Sequence, residues 1–256
     1  MNINWANSDA AIWRPQQQRL RAVIRTDPIQ LDSLLGIERQ KTLLQQNTEA
    51  FLHHAPSNNA LLWGARGCGK SSLIKALLNH YRHLGLRVIQ VETQDLVQLP
   101  EIVDTIEREP YHFIIYADDL SFERGDGGYR ALKSVLEGSI EVPPEHVRVY
   151  ATSNRRHLLP EQMADNRDSQ LVNGEIHHND TIEERISLSD RFGLSLSFYP
   201  LDQPTYLEII DSLFNDYQGD RSELHRLALR FTLERGNKSG RTARNFYNSL
   251  NAQPRH

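Results

Sequence analysis

One short glycine-rich stretch limits the fold of this chain more than any other feature of its sequence. Residues 64–71 read Gly-Ala-Arg-Gly-Cys-Gly-Lys-Ser, which fits the G-x-x-x-x-G-K-[ST] pattern of a phosphate-binding loop. An apolar run, Ala60–Trp63, precedes it, and a helical pattern follows from Lys70. Bare glycine backbone lets successive N–H groups point into one concavity, and the positive end of the helix favours an anion there. The stretch therefore predicts a nucleoside triphosphate site between a strand and a helix.

The side chains of this loop have separate expected roles. Lys70 is expected to reach the outer phosphates, and the Ser71 hydroxyl to ligate Mg²⁺. We interpret Cys68 as a small filler; the alternative is a redox-sensing thiol whose pKa is lowered by the helix N-terminus. The predicted nucleotide-binding residues here are Gly64, Ala65, Arg66, Gly67, Cys68, Gly69, Lys70, Ser71 and Ser72.

Apolar runs of strand length alternate with helical patterns between residues 34 and 200. This alternation predicts parallel pairing through crossover helices, hence an α/β domain with a five-stranded parallel sheet. Only helical patterns follow Pro200, so residues 201–256 are predicted to form a small helical lid domain. Residues 1–33 are assigned to an N-terminal extension, either a short helix or an arm. The predicted strands are 60–63, 87–91, 113–117, 147–151 and 194–198.

Composition narrows the class of protein. Hydrophobic residues make up 39% and charged residues 24% of 256 residues, which is ordinary for a globular protein. A net charge of −4 argues against a broad surface that coats nucleic acid, although it leaves room for a local basic patch. No apolar run approaches membrane-spanning length. The single cysteine and the absence of a signal-peptide pattern favour a cytoplasmic location.

Polar residues follow two of the predicted strands. Asp118 and Asp119 come directly after the strand 113–117; Asp118 is expected to hold Mg²⁺, and Asp119 to polarise the attacking water. Glu123 is a second candidate base. Asn154 ends the next strand, where its amide is expected to orient the water or sense the γ-phosphate.

Two further sites carry arginines. Arg191 lies between a helical pattern and the strand 194–198, so it is expected to project across a subunit boundary as an arginine finger. A surface ion pair is the alternative. Arg244 opens the last predicted helix of the lid and is expected to close onto the phosphates, with Arg241 competing for that role.

These motifs together resemble those of AAA+ ATPases over about residues 34–252. Gly64–Ser71 resembles Walker A, Asp118-Asp119 Walker B, Asn154 sensor 1, Arg191 the arginine finger and Arg244 sensor 2. The segment Leu34-Leu-Gly36-Ile37 resembles the one on the adenine side of the nucleotide. The resemblance implies ATP and Mg²⁺ as cofactors, ATP hydrolysis, and a homo-oligomer in which Arg191 acts in trans.

A narrower resemblance is to a bacterial family of uncharacterised AAA+ proteins, DUF815. The shared text is Tyr116-Ala-Asp-Asp-Leu-Ser-Phe-Glu123, Thr152-Ser-Asn-Arg-Arg-His-Leu158 and Leu188-Ser-Asp-Arg-Phe-Gly193. The chain departs from most AAA+ proteins in carrying Asp-Asp rather than Asp-Glu at Walker B. Because aspartate is one methylene shorter, its reach to the water is shorter too, a feature that resembles slowly hydrolysing replication initiators.

Three functions remain open on this basis. The first is an oligomeric ATPase that remodels or loads an unidentified macromolecular partner. The second is an ATP-switched initiator or helicase loader that contacts DNA through Arg155, Arg156 and His157, a reading that the net charge does not favour. The third, a small-molecule P-loop kinase, leaves Arg191 and the lid without a role. The polar insertion 160–180, with His177 and His178, is expected to be a surface loop rather than a metal site.

Overall fold

The computed structural model of the chain describes residues 3–122, 127–137, 144–154 and 191–251. Seven strands in these ranges form one sheet in the order β2-β1-β4-β5-β6-β3-β7. The strands are β1 (Ala10–Arg14), β2 (Arg19–Ala22), β3 (Ala60–Gly64), β4 (Leu86–Val91), β5 (His112–Ala117), β6 (Val147–Ser153) and β7 (Leu194–Phe198).

The predicted α/β fold is confirmed, but the strand number of five is wrong. All neighbouring strands pair in parallel except β1 and β2, which form an antiparallel ribbon at one edge. The ribbon lies in the stretch for which a short helix or an arm was expected. The β2 strand escapes detection because it has only four residues and alternates arginine with Leu20 and Ala22, so it contains no apolar run.

Helices cover both faces of the sheet. On one face α1 (Glu38–Leu52) and α2 (Lys70–Tyr81) pack through buried residues such as Leu44 and Leu77. On the other face α3 (Leu99–Asp104) and α4 (Gly127–Glu137) pack through Ile102 and Leu132. The strands between them alternate: Ile114 faces the first layer, whereas Phe113 and Ile115 face the second. This pattern is the period of two that a sheet buried on both faces requires.

Three helices after residue 200 form a separate hydrophobic core. They are α5 (Gln203–Leu213), α6 (Arg221–Arg235) and α7 (Gly240–Asn251), and residues such as Tyr206, Leu224 and Phe246 are buried among them. The domain limits 34–200 and 201–256 stay a prediction. The helical pattern expected before Arg191 and the insertion 160–180 lie outside the described residues.

The segment after β2 crosses α2 and reaches the carboxyl end of the sheet. The side-chain amide of Asn79 donates to the carbonyls of Asp27 (2.7 Å) and Ile29 (2.8 Å). Lys41 Nζ donates to the carbonyls of Leu31 (3.3 Å) and Leu34 (3.1 Å). These bonds hold residues 27–35, here called the strap, beside the loop that follows β3.

Candidate functional site

The glycine loop joins β3 to α2 under the end of β7. The Ala65 amide donates to the Phe198 carbonyl at 3.0 Å, and a Cβ on Gly64, whose φ is +130°, would overlap that same oxygen. Gly64 is therefore required by the close approach of β7. The Ala65 amide is already used by β7, whereas Arg66 to Ser72 line the space in front of α2.

Lys70 lies folded into the loop. Its Nζ donates to the carbonyls of Gly64 (2.7 Å) and Ala65 (2.8 Å) and to Asn154 Oδ1 (3.3 Å), and the residue is buried. Burial lowers the pKa of Lys70, while nearby acidic groups at Cys68, Asp119 and Asp118 oppose that shift. The lysine thus connects the loop to the end of β6.

Asp118 lies in a tight cluster of hydroxyl groups. Its Oδ1 accepts from Thr152 Oγ1 at 2.6 Å and from Ser71 Oγ at 3.0 Å. Burial opposes ionisation of Asp118, but the hydrogen bonds it accepts outweigh burial and hold the pKa of the carboxyl below its usual value. The carboxylate is therefore charged at neutral pH, beside the Ser71 hydroxyl. A hard carboxylate oxygen next to a hydroxyl at the head of a helix is a suitable donor set for Mg²⁺.

Asp119 points toward a different set of partners. Its backbone is in the left-handed region, with φ of +54°, and its amide donates to Thr152 Oγ1 at 2.9 Å. Its carboxylate accepts from the Asn154 side-chain amide and lies 3.8 Å from an Arg66 guanidinium nitrogen, with both side chains exposed. Consecutive residues therefore present one enclosed carboxylate and one open to solvent.

These groups line a cavity of about 1120 Å³. One end is formed by the glycine loop from Arg66 to Ser72, together with Asp118, Asp119 and Asn154. The other end is formed by the strap and the lid. The predicted residues Ile37, Arg241 and Arg244 are among the lining groups.

The lining of this cavity, over the described part of the chain, leaves out four predicted residues: Gly36, Gly64, Ala65 and Arg191. Gly36 lies between the lining residues Leu35 and Ile37, and Arg191 directly precedes the buried Phe192 near β7. Glu123 lies outside the described residues, as do Arg155, Arg156 and His157. The roles of all these residues stay predictions.

Two parts of the site were missed by sequence reasoning. Thr152 bonds both aspartates, and no pattern within one strand reveals such a contact between β6 and β5. The strap supplies Asp27, Ile29, Gln30 and Ser33 to the lining, although most of it falls in the predicted N-terminal extension, residues 1–33. Neither Pro28 nor the distance in sequence between the strap and Ile37 matches a pattern that predicts a nucleotide-binding segment.

The lowered pKa that was expected for the Cys68 thiol beside the helix N-terminus is not found. Burial raises the pKa of the Cys68 thiol, and the opposing charge of Lys70 does not overcome it. The residue is 5% exposed. The thiol is therefore protonated at neutral pH, which supports the filler interpretation rather than the redox one.

The comparisons with known proteins show the family and the fold of the chain. The family described as "Protein of unknown function (DUF815)" matches residues 6–254. Over 86 residues the chain is 30% identical to the replication factor C large subunit of Staphylothermus marinus; this match covers 33% of the chain and 20%, about a fifth, of that relative.

Solved structures show the same fold at low identity. The chain superposes on a RuvB variant from Thermotoga maritima with a TM-score of 0.53, at 13% identity, covering 88% of this chain and 73% of that one. It superposes on the replication initiator DnaA, bound to AMPPCP and single-stranded DNA, with a TM-score of 0.58 at 16% identity, covering 90% and 67%. No helix within the described ranges is long and apolar enough to cross a membrane. The fold is that of AAA+ P-loop ATPases, and the chain belongs to the DUF815 family.

Proposed function

We propose that this protein binds ATP with Mg²⁺ in the cavity and hydrolyses it at a site shared between subunits, in order to remodel or load a macromolecular partner. The observation that carries the proposal is the pair of unlike aspartates at the end of β5. Asp118 is enclosed beside Ser71, and Asp119 faces the open cavity beside Asn154. One carboxylate suits a metal ion and the other suits a water molecule.

The loop residues would hold the triphosphate. Amides at the start of α2 and the helix dipole favour phosphate oxygens, and Lys70 would exchange its bonds to Gly64 and Ala65 for bonds to the outer phosphates. Ser71 and Asp118 would hold Mg²⁺, which neutralises charge on the phosphates during transfer. Arg241 and Arg244 reach the same cavity from the lid, so closure of the lid would bring positive charge to the phosphates.

Asp119 and Asn154 would position the attacking water. Their hydrogen bond fixes the carboxylate in the orientation that the left-handed backbone of Asp119 sets. Because aspartate reaches less far than glutamate, we expect slow turnover, as the sequence suggests.

Arg191 would serve the site of a neighbouring subunit. It lies three residues before Leu194, the first residue of β7, which is the strand at one edge of the sheet. Among the described residues it does not line the cavity of its own chain. An arginine finger in trans contributes about 10³–10⁵ in rate in well-studied cases. The residue has contacts within its own chain as well, so the ion-pair alternative needs a direct test.

Mixing two inactive variants provides that test. Arg191→Ala keeps the loop and Lys70→Ala keeps the finger, so each alone should lose ATP hydrolysis, and a mixed oligomer should regain part of it. Arg226→Ala, at an exposed arginine paired with Glu223 on the lid, is the matched control and should hydrolyse at the parent rate. Light scattering establishes that the two variants co-assemble. A co-assembled mixture with no recovered turnover would contradict the shared site.

A further inference from the structure

The antiparallel β1–β2 ribbon concentrates positive charge. Residues 10–26 contain four arginines and no aspartate or glutamate, whereas the whole chain has a net charge of −4. The remainder of the chain therefore carries −8, so the net value conceals the positive charge of this element. We call residues 10–25 the basic ribbon.

The arginines of the two strands share one face. Arg14 lies directly opposite Arg19, and Arg21 lies opposite Ile12; since side chains alternate along a strand, all three point to the same side. The opposite face carries Trp13 and Leu20, which pack against the sheet core. The three arginines are exposed. The ribbon is thus anchored by one face and presents a basic surface with the other.

The clustering of these arginines destabilises the ribbon. Like charges directly opposite each other on paired strands are destabilising. Among the described residues, no carboxylate forms an ion pair with Arg14, Arg19 or Arg21. The bonds that they do form are to neutral groups: Arg19 Nε to Gln17 Oε1 at 2.8 Å, and Arg21 to the Ala22 carbonyl at 3.4 Å. An external anion would relieve the repulsion.

We propose that the basic ribbon is a docking surface for the phosphate backbone of duplex DNA. A two-stranded β-ribbon has the dimensions to enter or follow the major groove. Arg19 and Arg21, two residues apart on one strand, stand roughly 7 Å from each other, so they engage separate phosphates rather than one small anion. The exposed tip, Gln16–Gln18, adds amide groups of the kind that contact phosphates and base edges.

A lipid surface fits the ribbon less well. Peripheral membrane binding through basic residues is strengthened by apolar side chains that enter the bilayer. Ile24, 92% exposed, is the one large hydrophobic residue of the ribbon that is open to solvent. Glutamines, rather than apolar residues, occupy the tip.

The docking surface is separate from the proposed ATPase site. The ribbon lies at the sheet edge opposite to β7, with four strands between β1 and β7. Its binding therefore does not depend on the proposed function, and a variant that cannot hold nucleotide should still bind DNA.

The test is the salt dependence of binding to a fluorescently labelled duplex of mixed sequence, measured by anisotropy on the full chain without nucleotide. Three phosphate contacts predict a slope of log K against log salt near −2.7, which is about a 40-fold loss of affinity between about 50 and 200 mM salt. Arg14→Gln/Arg19→Gln/Arg21→Gln should remove most of that slope. Arg226→Gln/Arg230→Gln/Arg235→Gln removes the same charge from exposed lid positions and should retain it.

Two supporting measurements make the result decisive. The melting midpoint of the ribbon variant should equal or exceed that of the parent, because the substitution removes like-charge repulsion, and Lys70→Ala should bind the duplex as the parent does. Equal slopes for the ribbon and lid variants would overturn the proposal. So would tighter binding to single-stranded DNA or to anionic phospholipid vesicles than to the duplex.

Discussion

The two ends of the cavity are built in different ways. At the end formed by the glycine loop, here called the phosphate end, polar groups are joined by direct hydrogen bonds: Lys70 to the loop carbonyls, and Ser71 and Thr152 to Asp118. At the other end, here called the base end, the lining includes apolar side chains of the strap and the lid, such as Leu34, Leu201 and Leu213. The first end suits charge and the second suits a flat, largely apolar ring system.

The difference arises because different segments of the chain form the two ends. The phosphate end combines one loop with the carboxyl ends of β5 and β6, which a parallel sheet brings to the same edge. The base end combines two segments that are distant in sequence, namely the strap and α5 with Leu201, whereas the start of α7 lies against the glycine loop, where a Cβ on Gly67 would meet Arg241. Movement of the lid would therefore change the base end and move Arg241 relative to the glycine loop, while the core of the sheet holds the other groups of the phosphate end.

Within the phosphate end, the largest expected effect comes from Asp119→Asn. The hydrolysis rate should fall by about 10²–10⁴, the usual contribution of a general base, with MgATP affinity unchanged. Asparagine tolerates the left-handed conformation that residue 119 adopts, so the fold should be retained. Single-turnover hydrolysis and calorimetric titration give the two values.

Asp118→Asn is the matched variant for this prediction. It should weaken binding of MgATP but not of ATP without the metal, because Asp118 accepts from Ser71 at the proposed metal position. The two variants therefore separate catalysis from metal binding. Loss of metal dependence in Asp119→Asn, with hydrolysis intact, would mean that the roles are reversed.

A smaller effect is expected at Gly36, which directly follows the strap and lies against the lid. Gly36 has φ of +77°, and a Cβ there would overlap the Thr205 methyl group on α5 and press on Leu201. Gly36→Ala should push the strap and the lid apart, so that adenosine and ATP both bind about tenfold more weakly, a difference of about 1.4 kcal/mol.

Gly236 offers a matched control for that change. It has a similar φ of +74°, but a Cβ there would meet nothing within 4 Å. Gly236→Ala should share the backbone strain and leave both affinities unchanged. If it weakened binding as much as Gly36→Ala does, strain rather than the contact between strap and lid would explain the effect.

The sequence predicted the phosphate end far better than the base end. Residues 64–71 form a contiguous motif, and Asp118 and Asn154 follow apolar strands, so pattern and strand order are enough to place them. Lys70 shows the limit, since its bonds to Gly64 and Ala65 depend on the fold of the loop and not on residue type alone.

Long-range pairing explains what was missed. The β1 strand lies beside β4, with more than 70 residues between the paired positions Ala10 and Val88, and no local pattern shows such a pairing. Thr152 likewise appears as an ordinary strand residue until β6 is placed beside β5. The expected lowering of the Cys68 pKa is wrong because burial, which the sequence does not show, outweighs the charge of Lys70.

The most direct test of the account compares ATP with adenosine, both titrated calorimetrically into the parent and Lys70→Ala. Lys70 faces only the phosphate end, so its loss should weaken ATP binding by about 100-fold, the value of a charged hydrogen bond to phosphate. Adenosine should bind the variant as it binds the parent, which also shows that the variant is folded. An equal loss for both ligands, or no loss for ATP, would contradict a cavity with phosphates on the glycine loop and the base beneath the strap.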